Sequence, residues 1–157
     1  MRPALFLLLS CMLAFLSSCE RPDPVASQAR AIVQLPPEQR RKALVELPLD
    51  KQLDVYLYAA TRVEPPLILA KELASNGPSM LPTLKNRLAS EANERRFTQL
   101  MLILVAISAS DCSLEKRTDI LDTVQRAIPR MSQENQQTAN HLLESIVHPE
   151  RQLPPCS

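Results

Sequence analysis

Two histidines and a carboxylate share a helical face near the end of the chain: His141, Glu144 and His148, spaced i, i+3 and i+7. Imidazole and carboxylate are zinc-ligand types, and that spacing sets all three on one side of a helix. The two rings, however, lie two turns apart, roughly 10 Å along the axis. One zinc ion does not bridge that gap unless the helix kinks. His148 also precedes Pro149, where an imidazolium complements the C-terminal helix dipole. The expectation is that these residues hold no metal. Asp50 with Asp54 and Glu91 with Glu94 are helix-spaced carboxylates, but neither pair has a second cluster to oppose it. Both read as solvated faces. There is no Gly-x-Ser-x-Gly elbow, Walker loop or HExxH pair, and the sequence reads as that of a non-enzyme without a cofactor.

Charge offers a different chemistry. Arg40-Arg41-Lys42 and Arg95-Arg96 are the densest positive spots. Their plain reading is the exposed side of amphipathic helices. The sharper one is contact with anionic lipid or an acidic partner. The chain as a whole carries 18 Lys+Arg against 17 Asp+Glu, so it has no global field to gather nucleic acid. With no Trp and few aromatics it also lacks stacking platforms for bases. Gly77 is the only glycine, against 14 prolines, which disfavours phosphate-cradling loops and tight hairpins and suits punctuated helices.

The start of the chain supplies an address. Met1-Arg2-Pro3 is followed by an apolar run from Ala4 to Leu16, the length of a secretory h-region and too short for a comfortable span. Leu16-Ser17-Ser18-Cys19 then resembles the lipobox of bacterial lipoproteins: an aliphatic residue, two small residues and a cysteine. The resemblance implies cleavage before Cys19, a diacylglyceryl group on its thiol and an acyl chain on its new amine. Two or more chains give stable anchoring where one does not. Glu20 rather than aspartate follows the cysteine, which by the sorting rule of Gram-negative lipoproteins favours the periplasmic leaflet of the outer membrane. The expected organisation is a cleaved signal peptide at 1–18, a lipidated tether at 19–24, one domain at 25–148 and a proline-rich tail at 149–157.

The elements that follow are helical. Apolar residues recur at spacings of three and four, with no convincing period of two. Ala29, Ile32 and Val33 mark a first helix, and Pro36-Pro37 opens a second with Ala43, Leu44 and Leu47 on one face. After Pro48, Leu53, Tyr56, Leu57 and Ala60 line a third. A fourth runs from Pro65-Pro66 through Leu69 and Leu73 to an Asn76-Gly77 stop. Ser79 is placed to cap a fifth with Leu81, Leu84 and Leu88. The sixth, from Phe97 to Ile107, is apolar all round and belongs in the middle of the domain. A seventh carries Leu114, Leu121, Val124 and Ile128 as far as Pro129. The eighth starts near Ser132 and presents Ala139, Leu142, Leu143, Ile146 and Val147.

The reading is all-α, with stacked antiparallel helix hairpins. Met80 to Leu88 is similar to the first helix of a HEAT-type unit, with its early Pro82, and Glu94 to Leu100 resembles the opening of the second helix. An irregular HEAT-like solenoid and a compact helical bundle both remain open. If the last two helices pack antiparallel across their short connection, the tail can return Cys156 to Cys112, and an oxidising periplasm would join them.

Such a body suits a lipid-anchored, non-catalytic adaptor or pilot that binds another envelope protein. A protective lipoprotein of the immunity or exclusion kind is the second reading. A small metal-binding or enzymatic protein is the third.

Overall fold

The computed structural model describes residues 24–61, 67–110 and 117–149. These form eight α-helices, with no strand among the described residues: α1 (Pro24–Val33), α2 (Pro37–Val45), α3 (Leu49–Ala60), α4 (Leu67–Ala74), α5 (Leu81–Ser90), α6 (Glu94–Ser108), α7 (Thr118–Ala127) and α8 (Gln133–Val147). Two 3₁₀ turns, Gly77–Met80 and Ile128–Arg130, join α4 to α5 and α7 to α8. The fold is all-α, as the three-and-four spacing requires. α1 takes up Pro24, one residue before the domain was expected to begin.

Proline sets many of the boundaries. Pro36 and Pro48 hold extended backbone, ψ 153° and 149°, immediately before α2 and α3. A proline has no N–H to leave unpaired at a helix start, so the break there is inexpensive. Gly77 provides the one left-handed residue among those described, at φ 56°. It follows the end of α4 as anticipated, but a 3₁₀ turn comes next, and Ser79 does not cap α5. Its hydroxyl donates back to the Asn76 carbonyl at 2.7 Å, inside that turn.

α6 is the central element. It packs against α3, α4, α5 and α8. Leu100, Met101, Ile103, Leu104 and Ile107 are all fully buried. Its other side is less enclosed than expected: Leu102, Val105 and Ala106 are only half-buried, because no described helix covers them completely. Several polar groups inside are paired, while Arg40 Nε, Glu72 Oε2 and Arg96 Nε are buried without a hydrogen-bond partner among the described residues. The Tyr56 hydroxyl on α3 donates to the Gln99 carbonyl on α6 at 3.1 Å. Burial pushes this phenol well above its usual range, so it remains a donor. Buried Gln52 donates to the Leu47 carbonyl and accepts from Asn76, tying the start of α3 to the end of α4.

The main packing partners are next-but-one in the chain: α1 on α3, α4 on α6, α5 on α7 and α6 on α8. In the second half this follows from hairpins lying on one another. The first residue of α6 bonds to the residue before α8, so those two helices start at the same end. Leu88 near the end of α5 and Ala127 at the end of α7 line one cleft, so those helices finish at that same end. Thus α5–α6 and α7–α8 are two hairpins with their turns side by side. α8 lies chiefly on α6 rather than on α7, the neighbour expected from the short connection. The physical reason is the area available: α6 offers a long apolar face, whereas α7 turns Ile120, Leu121 and Val124 into the core.

Candidate functional site

The two hairpin turns enclose a cleft of about 310 Å³. Leu88, Ala89, Ala92, Phe97, Ala127 and Met131 give it an apolar lining, and Glu91, Glu94 and Arg130 add charge. Its frame comes from helix ends. α6 begins at Asn93, whose side chain accepts the Arg96 N–H at 3.0 Å, an N-cap of the usual kind. α8 begins at Ser132, but the cap reaches across space. Glu94 accepts from the Ser132 N–H at 2.8 Å, from its hydroxyl at 2.7 Å, and from the Asn135 amide. These hydrogen bonds hold the Glu94 carboxyl below the ordinary glutamate range, with the Ser132 hydroxyl contributing most. One carboxylate thereby sets the register of both turns.

The positive residues singled out in the sequence fall into two groups of different character. At the cleft, Arg95 is exposed beside Glu94, while Arg96 faces Glu91 across 3.4 Å. On α2, Arg41 and Lys42 are exposed, but Arg40 folds inward and donates to the Leu35 carbonyl at 3.1 Å. Arg40 and Arg41 also act on Glu72 of α4. Burial raises the Glu72 carboxyl above its usual range, and the two guanidinium groups partly offset that rise. The triplet is therefore not one uniform basic patch. α2 itself is unusual in burying a single residue, Leu44, while Val45 is 63% exposed.

Three of the four paired carboxylates, Asp54, Glu91 and Glu94, are tied into the structure instead of forming solvated faces, while Asp50 is exposed. Asp54 accepts from Arg87 of α5 at 2.6 Å and from Lys51 at 3.2 Å. Lys85 of α5 reaches Asp119 of α7 at 3.0 Å, a second tie between helices next-but-one in the chain. His141 and Glu144 are exposed on α8, and His148 donates its backbone N–H to the Glu144 carbonyl. Among the described residues no three His, Cys, Asp or Glu side chains are grouped to hold a metal ion. No helix among those described is long and apolar enough to cross a membrane. Cys19, Cys112 and Cys156 lie outside the described residues.

Two features escaped the sequence reading. The bond between Glu94 and Ser132 joins residues 38 apart, and no local spacing announces it. Val45 could have been found, because Ala43, Leu44 and Val45 are consecutive and one short helix cannot bury all three. Comparison with protein-family models, with curated proteins and with solved structures gives no match to this chain.

Proposed function

We propose that the chain is a bacterial lipoprotein, anchored through Cys19, that works as a non-catalytic helical adaptor for another envelope protein. The outer membrane, on its periplasmic leaflet, is the favoured location. The observation that carries the binding half of this reading is the cleft between the two in-register turns. It is concave, partly apolar and built on helix ends rather than on a long loop, which suits the insertion of a partner's apolar side chain. Arg130 at its edge and exposed Arg95 nearby favour an acidic flank on that partner. The anchor half is supported by the Leu16-to-Cys19 resemblance and by the short distance along the chain to α1. Only Glu20 to Asp23 separate Cys19 from Pro24, a reach of at most about 18 Å. The tied Asp54 and Glu94 agree with a body whose charges hold helices together.

The test is crosslinking in the intact envelope, followed by detergent extraction and capture through the native chain. A partner should be recovered in stoichiometric amount, and Ala89→Trp, which fills the cleft from an exposed position, should lose it. Recovery of no stoichiometric partner would overturn the adaptor. Equal recovery with Ala89→Trp and with Arg130→Glu would overturn the assignment to this cleft.

A further inference from the structure

We infer that the outer face of α2, formed by Arg41, Lys42 and Val45, rests on the anionic lipid surface to which the chain is tethered. The proposal takes the Cys19 anchor from the reading above and adds an orientation to it. α2 is poorly explained by packing alone. Of its nine residues only Leu44 is buried, and its last residue, Val45, is the one large apolar side chain that is strongly exposed among those described. Arg41 and Lys42 are exposed beside it and neither is in an ion pair within 4 Å among the described residues, Arg41 acting on Glu72 only from farther away. A basic pair next to an exposed aliphatic residue is chemistry that suits a lipid interface: the charges meet headgroups and the valine meets the acyl boundary.

Proximity supplies the second argument. α2 packs on α1, and a helix of ten residues is about 15 Å long. With α2 of nine residues following it, the face stands within about two helix lengths, roughly 30 Å, of Pro24, and the tether adds at most about 18 Å more. A contact that would be weak for a free protein becomes favourable when a tether fixes the local concentration of the surface. Glu38 and Glu46 on the same helix, and Glu72 of α4 beside Arg41, work against the attraction. The contact should accordingly be sensitive to lipid charge and to salt, with each basic residue contributing about fivefold in partitioning near an anionic surface.

The natural chain has no tryptophan, so Val45→Trp introduces a single reporter at an exposed position. The mature chain carrying it is extracted from membranes, weighed intact, and reconstituted in vesicles of phosphatidylcholine with or without phosphatidylglycerol. Emission should shift to the blue in the anionic vesicles and return in high salt. It should stay at the water-exposed position when Arg41→Glu and Lys42→Glu are added, with circular dichroism unchanged. Identical emission in both vesicle types overturns the proposal. So does a shift that requires added envelope protein, since the face would then dock a protein. A lipidated chain without the shift removes the face and keeps the anchor. A chain that is lipid-free by mass yet shifts in anionic vesicles keeps the face and removes the anchor.

Discussion

Glu94, the first residue of α6, accepts both the backbone N–H and the hydroxyl of Ser132, the residue that precedes α8. One carboxylate on one helix thus caps another helix 38 residues later, and two hairpins are locked with their turns adjacent. A carboxylate at a helix N-terminus is also favoured by the helix dipole.

The ionised form of Glu94 is the one that accepts these bonds, and its pKa is lowered in the folded chain. Its contribution is therefore fully present above the unfolded value, near 4.3 for glutamate, and is lost as pH falls through the lower folded value. Glu94→Gln should lower the melting temperature at pH 7, and the gap from the native chain should narrow as the solution is acidified below about pH 4. Thermal unfolding followed across that range checks both statements. Parallel curves at every pH would contradict them.

The central helix predicts a contrast between two leucines. Leu104 is fully buried, whereas Leu102, two residues away, is only half-buried. Leu104→Ala should cost about 2–5 kcal/mol through lost burial and a residual cavity. Leu102→Ala should cost about 1 kcal/mol. Denaturant unfolding of both variants measures the difference, and equal costs would mean that α6 is not oriented as described.

Gly77 holds φ 56°, and a Cβ built there meets no atom within 4 Å. The cost of Gly77→Ala should then be purely conformational, about 1 kcal/mol, and Gly77→Asn should cost less. Equilibrium unfolding of the two variants tests that order.

Helices α6 and α8 each have 15 residues and start together, so their far ends, Ser108 and Val147, lie at the same end of the stack. Cys112 follows the first by four residues and Cys156 follows the second by nine. We propose that they form a disulfide, worth up to about 4 kcal/mol for a loop of this length in the chain-entropy model. The non-reduced chain should weigh two hydrogens less than the reduced one. Both thiols alkylating without reductant would refute the bond.

The fold was largely legible because the period of three and four is a local property. Each stripe from Ala29 to Val147 needs only its own helix to be recognised, and the prolines announce the breaks. What was not legible is non-local. Ser132 marks only the start of the eighth helix in the sequence, yet its hydroxyl serves a carboxylate on another helix. The Arg40-Arg41-Lys42 run promises one patch, but a helix places successive residues about 100° apart, which sends Arg40 to Leu35 and leaves the other two outward. Which helix α8 would choose depended on competing areas, and the length of the connection to α7 carries no information about that choice.

The claim on which the biological reading depends is a covalent one, and the intact mass of the chain extracted from the native envelope tests it most directly. A chain beginning at Cys19 and heavier by a diacylglyceryl group and one amide-linked acyl chain is the predicted result. A chain of unmodified mass, or a Cys19→Ser form that still sediments with membranes, would contradict it.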